Sequence, residues 1–129
     1  MRDEPFVTIY RFHKDDTKKS RILESVRVGG VYITRMIIRP RATIGNLYFT
    51  KTNMVFFVQS GNLDATFIQP SSGQEKSFHL EPDSGIIHVP PHVAFGIKNT
   101  QDTESILVSF SDRPLHDRDD DVPFEVFTV

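Results

Sequence analysis

Short runs of β-branched and aromatic residues, separated by turn-forming residues, constrain the fold of this chain more than any other feature. Such runs are typical of the strands of an all-β sandwich or barrel, because each strand buries one alternating face before the chain reverses. The pattern predicts eight strands, and that number favours a jelly roll. The predicted strands are residues 30–38, 46–50, 55–59, 65–69, 77–80, 85–89, 95–98 and 105–110.

Two segments lie outside this set. Residues 15–28 form the one stretch that could hold a turn or two of helix. Residues 122–129 alternate again, with Val122, Phe124, Val126 and Thr128 on one face. We expect this tail to pack back as an edge strand or to join a dimer partner.

Composition narrows the function classes. The 129 residues are enough for one domain with one core, and we expect a single domain over residues 1–129. Its barrel should span about 30–111 and its C-terminal strand about 122–129. The net charge is −2 with scattered Lys and Arg, so nucleic acid is not an expected partner. No cysteine is present, which excludes disulfides, thiolate metal sites and cysteine nucleophiles.

The chain shows no sign of membrane insertion or export. Its first residues, MRDEPF, are charged and lack the apolar core of a signal peptide. No later run is long and apolar enough to cross a bilayer, so no membrane is expected as a partner. The expected location is the cytoplasm.

Two segments have the motif spacing of cupins. Residues 45–61 keep Gly45 and Gly61, and residues 85–99 keep Pro90 and Asn99. On these residues the chain resembles the cupin superfamily, an RmlC-like double-stranded β-helix. More narrowly, it resembles sugar-nucleotide cupins: the C-terminal cupin of capsular-polysaccharide sugar-nucleotide reductases, and the deoxysugar-nucleotide epimerases and ketoisomerases. That narrower likeness lies in Gly45-Asn46-x-Tyr48, Lys51-x-Asn53, Val58-x-Ser60-Gly61, the Pro90-Pro91 turn, the strand at 106–111 and the segment at 119–126.

The resemblance also shows what the chain has lost. It implies that Leu47 and Phe49 stand where two histidine ligands would be, Met54 where a carboxylate would be, and Phe95 where a last histidine would be. A divalent ion needs nitrogen or oxygen donors, and a single thioether is a poor substitute. We therefore expect no metal and no cofactor. In the epimerases the first of these positions holds the general base, and leucine cannot accept a proton.

Two interpretations of this apolar cluster compete. Alternation places Leu47 and Phe49 on one strand face, and the implied topology brings Met54 and Phe95 to meet them. The barrel centre has then either filled in as a hydrophobic core or become an apolar pocket for a small ligand. Eleven phenylalanines suit both interpretations. The pocket hypothesis predicts a cavity lined by Leu47, Phe49, Met54, Phe56 and Phe95, with Lys51 or His92 at its mouth.

Histidines offer the remaining acid–base chemistry. His88 and His92 flank the Pro90-Pro91 turn and are candidate catalytic residues, although no carboxylate stands where it would plainly orient either ring. The favoured interpretation is that both are surface histidines of the turn. Tyr48 should point away from the ligand side. His13, His79 and His116 lie in polar surroundings and should be exposed.

Two groups of charged residues could each be either a binding site or a solvated surface. Arg35, Arg39 and Arg41, with Lys51, could form a rim for a phosphate or carboxylate, but such residues are more often a solvated face. Asp117, Asp119 and Asp121 alternate like the first ligands of a calcium loop. The required Gly and Glu are replaced by Val122 and Thr128, so we predict a solvated acidic loop.

The sequence thus predicts a homodimeric, metal-free cupin that binds a small molecule, with a sugar or sugar nucleotide as the ligand that the resemblance implies. An apolar lining suits a sugar poorly, because buried hydroxyls need hydrogen-bond partners. Two alternatives stay open. One is a sugar-nucleotide epimerase or isomerase with a displaced base, and the other is a structural or regulatory domain with a filled barrel.

Overall fold

Two antiparallel sheets face each other in the computed structural model, which describes residues 6–115 and 120–128. The strands are β1 His13–Asp15, β2 Arg21–Val28, β3 Val31–Ile38, β4 Thr43–Phe49, β5 Met54–Ser60, β6 Leu63–Ile68, β7 Glu75–Leu80, β8 Ile87–Val89, β9 Ala94–Lys98, β10 Ser105–Ser111 and β11 Asp121–Pro123. One sheet has the strand order β1-β2-β3-β10-β5-β8, and the other has the order β11-β4-β9-β6-β7. All eight predicted strands are present, and the all-β jelly roll is confirmed.

The core lies between the sheets because alternate residues of each strand point inward. Along β5, Met54, Phe56 and Val58 are buried while their neighbours are not. Leu63 of β6 and Ile97 of β9 meet them from the other sheet and are almost completely inaccessible. Close packing of this kind is typical of a protein interior. This part of the barrel is filled with side chains.

The expectation of a helical turn within residues 15–28 is wrong. β2 occupies Arg21–Val28 and pairs along its whole length with β3, through a hairpin that turns at Gly29 and Gly30. Gly29 has a φ of 61°, which a glycine adopts without steric cost. The charged residues obscured an alternating pattern in which Arg21 and Leu23 face inward. Within the described residues, no helix is long and apolar enough to span a bilayer.

The C-terminal tail returns to the barrel as expected but leaves strand geometry early. β11 pairs with β4 only over Asp121–Pro123. Beyond it, the side chain of Asn46 takes over: its Oδ1 accepts hydrogen bonds from the backbone N–H of Val126 and Phe127, and its Nδ2 donates to the Phe127 carbonyl. These bonds replace a strand ladder, so residues 124–128 lie on the barrel without extending the sheet.

The outward side of the six-stranded sheet is unusually apolar. Sheets with one solvated face normally alternate apolar and polar residues. Among the described residues, the charged pair at the middle of that side is Glu24 with Arg35, whose guanidinium lies 2.9 Å from the carboxylate. We call this side the outer face, and its apolar members, all partly buried, are Ile22, Val26, Ile33, Ile37, Val55, Phe57, Ile106, Val108 and Phe110.

Candidate functional site

A cavity of about 190 Å³ lies between the two sheets at one end of the barrel. We call it the mouth cavity. β2, β3 and β5 supply one wall, and β4, β9 and β11 supply the other. The barrel is therefore filled in its interior and hollow at this end. The apolar lining consists of Leu23, Met36, Ile44, Leu47, Phe49, Met54, Phe95 and Leu115.

The four positions where the resemblance implied metal ligands meet in this lining. Leu47 pairs with Phe95 across β4 and β9, and the rings of Phe49 and Phe95 lie 5.8 Å apart. Met54 begins β5 and closes the cavity from the other sheet. Gly45 is also required here, because a Cβ at that position would lie 2.8 Å from the Phe95 carbonyl oxygen.

Three other predicted ligand-binding residues lie elsewhere. Phe56 is completely buried in the core and does not line the cavity. Lys51 is exposed, and its backbone N–H donates to Asp120. His92 is exposed on a turn with a φ of 66°, and its backbone N–H donates to the Phe49 carbonyl. Neither Lys51 nor His92 lines the mouth cavity.

The two candidate catalytic histidines are separated from the cavity. His88 lies opposite Val55 in the β5–β8 pair, and its Nε2 is 3.4 Å from the Asn53 side-chain oxygen. The His92 ring packs 5.9 Å from the ring of Tyr48. Tyr48 also meets Phe124, so this tyrosine packs beneath the tail.

The other histidines do not form a site in the described part of the chain. His79 bonds Asp64 at 2.7 Å on the exposed surface, and His13 is exposed in β1. His116 lies outside the described residues, as do Asp117 and Asp119.

The arginines around Pro40 do not share a rim. Arg35 pairs with Glu24 on the outer face, and Arg39 lies 3.6 Å from Glu104. Arg41 binds Asp102 at 2.6 Å. Each guanidinium has its own carboxylate, which agrees with a set of solvated surface pairs.

An arginine that the sequence did not single out lies in the cavity wall. The Arg21 side chain is only 7% exposed, and its Nη1 has no hydrogen-bond acceptor within the described protein. The carboxylate of Asp15 is 3.7 Å away. Burial lowers the pKa of Arg21 from its usual value, while the charge of Asp15 acts to raise it. An unsatisfied buried charge is costly, so its presence suggests a function.

Asp121 faces the same cavity from the opposite sheet. Its Oδ1 is buried and accepts no hydrogen bond within the described protein. Arg21 and Asp121 line one cavity without pairing with each other. The sequence signal for both was alternation: Arg21 is in phase with buried Leu23, and Asp121 directly precedes an apolar strand residue.

The expectation of a solvated acidic loop is wrong for its last two residues. Asp120 is 2% exposed and accepts hydrogen bonds from the hydroxyls of Thr50 and Thr52 and from the Lys51 N–H. Burial acts to raise the pKa of Asp120, but these hydrogen bonds outweigh it and hold the pKa below its usual range. The carboxylate thereby ties the C-terminal segment to the loop after β4.

The residues at the mouth cavity do not fit a divalent metal ion. The described residues contain no group of three or more His, Cys, Asp or Glu side chains that could hold one. The four positions in question offer hydrocarbon side chains and one thioether, and the Arg21 cation would repel a metal ion.

A second, more open groove of about 340 Å³ lies between β7 and β8, the edge strands at the other side of the sandwich. We call it the edge groove. Phe67, Phe78 and Ile87 supply apolar surface, while Lys76 and His88 stand at its polar side. Among the described residues, none of the side chains that line this groove has a buried nitrogen or oxygen atom that lacks a hydrogen-bond partner. The mouth cavity is therefore the stronger candidate site.

No protein-family model and no curated protein matches the chain. Solved structures do match. The capsular polysaccharide assembling protein CapF from Staphylococcus aureus superposes with a TM-score of 0.79 and 18% identity, over 92% of this chain and 35% of CapF. A single-residue variant of oxalate decarboxylase from B. subtilis gives 0.72 and 14%, over 95% of this chain and 34% of that one. An oxalate oxidase gives 0.64 and 16%, over 75% and 53%.

These likenesses concern the fold, because identities this low do not carry activity with them. The chain spans about a third of the length of CapF and of the decarboxylase.

Proposed function

We propose, for a chain that has the cupin fold, that it binds a small molecule in the mouth cavity without a metal ion. The observation that carries this proposal is a cavity of about 190 Å³ with a largely apolar lining and two buried polar atoms, Arg21 Nη1 and Asp121 Oδ1, that have no hydrogen-bond partner within the described protein. Ligand sites commonly combine an apolar lining with a few convergent polar groups.

The volume of the cavity limits the size of the ligand. An apolar protein cavity of roughly 150 Å³ accommodates benzene. A cavity of about 190 Å³ therefore suits a molecule with one ring or a short aliphatic chain. A sugar nucleotide would have to lie largely outside it.

A sugar remains a candidate ligand, and carbohydrate metabolism a candidate context, because the sequence resembles sugar-nucleotide cupins and the structural neighbour CapF is a capsular polysaccharide assembling protein. The polar lining side chains could meet some hydroxyls, and they are Lys18, Ser20, Arg21, Thr43 and Asp121. Most of the lining could not, and unpaired hydroxyls would weaken binding. The largely apolar lining of the mouth cavity therefore favours an apolar ligand over a sugar.

The enzyme alternative rests on a different observation. His88 lines the larger edge groove together with Lys76, so a base and a cation share one surface. A sugar-nucleotide epimerase working there would exchange a sugar ring proton with solvent deuterium. That exchange would disappear in the H88N/H92N double variant, whereas substitutions at the mouth cavity would leave it unchanged.

The proposal is tested by thermal unfolding with a panel of toluene, benzyl alcohol, benzoate, glucose and UDP-glucose. A ligand at 100 times its Kd stabilises the folded state by about 2.7 kcal/mol, which raises Tm by roughly 10 °C for a domain of this size. Leu47→Trp fills the cavity and should abolish the rise. Ile86→Trp, at an exposed position before β8, is the matched control and should preserve it.

Two outcomes would count against the proposal. If no one-ring probe stabilises the wild type, the barrel is a structural or regulatory domain rather than a binding protein. If Leu47→Trp responds as the wild type does, the ligand binds elsewhere.

A further inference from the structure

We infer that the mouth cavity selects a small monocarboxylic acid, with its carboxylate on Arg21 and its apolar body against Leu47 and Phe95. This inference rests on the proposed function and names the ligand class of the same site. The guanidinium of Arg21 comes from the six-stranded sheet, on a side chain that is 7% exposed, and directs an Nη1 without an acceptor into the cavity wall.

A carboxylate is the group that best completes this arrangement. Guanidinium and carboxylate match in geometry, and charge-assisted hydrogen bonds are about twice as strong as neutral ones. Asp15 does not reach hydrogen-bond distance of Nη1, since the two atoms are 3.7 Å apart. A ligand without an acceptor would leave Nη1 without a hydrogen bond, and a ligand carboxylate would accept one.

Asp121 adds selectivity. Its buried Oδ1 faces the cavity from the opposite sheet, and no ion pair joins it to Arg21 within the described protein. A ligand with a second carboxylate would place like charges together in a poorly solvated space. The site therefore favours monocarboxylates over dicarboxylates of equal length, and it favours ligands that donate a hydrogen bond toward Asp121.

The test compares benzoate with toluene by isothermal titration calorimetry. Wild type should bind benzoate at least tenfold more tightly than toluene. Arg21→Met keeps the approximate length of the side chain and removes the charge, so it should lose that preference while it still binds toluene. Arg39→Met, an exposed arginine paired with Glu104, is the matched control and should behave as the wild type.

Stability separates a binding role from a structural one. The desolvation cost of the buried Arg21 guanidinium is offset in part by Asp15 at 3.7 Å, so Arg21→Met should unfold within a few degrees of the wild type. A fall in Tm together with unchanged benzoate affinity would show that Arg21 is structural and would overturn the inference.

The second arm tests Asp121. Butyrate should bind the wild type, and succinate, which has the same chain length, should bind at least tenfold more weakly. Asp121→Asn should narrow that difference. If toluene binds and benzoate does not, the proposed function survives and the carboxylate assignment fails. If neither binds, both fail.

A separate observation carries a second inference: the outer face is the interface with a second copy of this chain. Three outward residues of β10, Ile106, Val108 and Phe110, lie side by side with Ile33 and Ile37 of β3. Contiguous apolar surface of this kind marks an interaction site on soluble proteins. This surface is a sheet face, and it differs from the C-terminal tail that the sequence suggested as a contact with a dimer partner.

The charge of the outer face favours a second copy as the partner. In a two-fold interface each face meets itself, so a net charge on the face would repel. The opposite charges of Glu24 and Arg35, whose side chains lie 2.9 Å apart, neutralise each other, so this pair adds no net charge to the face. The four central strands cover roughly 20 Å by 20 Å, or about 400 Å². One partner contributes roughly 800 Å² to a standard interface, so the outer face alone supplies about half of that area.

The segment before β1 supplies further area. Phe6, Val7, Ile9 and Tyr10 are 92%, 81%, 74% and 52% exposed. Phe12 connects this segment to the outer face, because its ring lies 5.2 Å from the guanidinium carbon of Arg35. This segment therefore adds exposed apolar surface beside the outer face.

Sedimentation velocity at 5 and 100 µM tests this inference. The wild type should sediment as a dimer, and Val108→Glu should sediment as a monomer with an unchanged circular dichroism spectrum. Phe78→Glu alters an exposed apolar residue on edge strand β7 and should leave the dimer intact. A monomeric wild type at 100 µM, or dissociation by Phe78→Glu and not by Val108→Glu, would refute the outer face as the interface.

Discussion

Among single residues, the buried carboxylates and guanidiniums fall into two groups. Asp120 is surrounded by donors from Thr50, Lys51 and Thr52, and its charge is satisfied. Arg21 Nη1 and Asp121 Oδ1 have no hydrogen-bond partner within the described protein, although the carboxylate of Asp15 lies 3.7 Å from Arg21. Satisfied buried charges hold a fold together, whereas unsatisfied ones lower stability and are kept where they bind something.

Asp120→Asn should destabilise the protein by about 2 kcal/mol at pH 7, because hydrogen bonds to a charged group are lost or inverted. The pKa of Asp120 is lowered in the folded state. Its stabilisation is therefore complete above the unfolded value of about 3.9 and is lost as pH falls through the folded pKa. Urea unfolding at pH 7 and pH 3 measures the difference between wild type and variant, which should shrink at the lower pH.

Asp102→Asn is the control, because Asp102 is 85% exposed in its pair with Arg41. It should change stability by no more than about 0.5 kcal/mol at either pH. An equal penalty for Asp120→Asn at both pH values would mean that its carboxylate charge contributes nothing.

Among the elements, the C-terminal segment depends on one asparagine to stay on the barrel. Asn46 has a φ of 56° and bonds three backbone groups of Val126 and Phe127. Gly96 allows the close approach, since a Cβ there would lie 2.8 Å from the Phe127 ring. Because β11 carries Asp121, the fixation of this tail also positions one wall of the mouth cavity.

Asn46→Gly should loosen the tail without backbone strain, because glycine tolerates positive φ. The amides of Val126 and Phe127 should exchange with deuterium at least tenfold faster, while those of β5 keep their protection. Thr128→Ala, which removes a surface hydroxyl bonded to Glu125, is the control. Unchanged exchange at Val126 and Phe127 in Asn46→Gly would show that other contacts hold the tail.

In the molecule as a whole, the filled interior of the barrel stabilises the fold, and the hollow end is the proposed binding site. Phe56, Leu63, Ile97 and Leu107 fill the interior, and the mouth cavity stays open where β2, β4 and β11 meet. The proposed dimer would form on the outer face, so association and ligand binding would use opposite sides of the same sheet. The dimer and ligand experiments can therefore be interpreted independently.

The order of the amino acids was enough to predict most strands and the chemistry of the barrel centre. Alternation located all eight predicted strands, and Leu47, Phe49, Met54 and Phe95 carry no nitrogen or oxygen donors for a metal. Both are local properties: strand periodicity depends on neighbours two residues apart, and donor capacity on the side chain alone.

Packing in three dimensions was needed to establish which charges are buried and how far the barrel is filled. Arg21 and Asp121 lie far apart in the chain and line one cavity because β2 and β11 belong to opposite sheets that converge at the mouth. Strand β2 itself was missed, because its charged residues concealed an inward-facing Arg21 and Leu23. Burial depends on long-range packing, so alternation can suggest that these side chains face inward but cannot establish that their charges are buried.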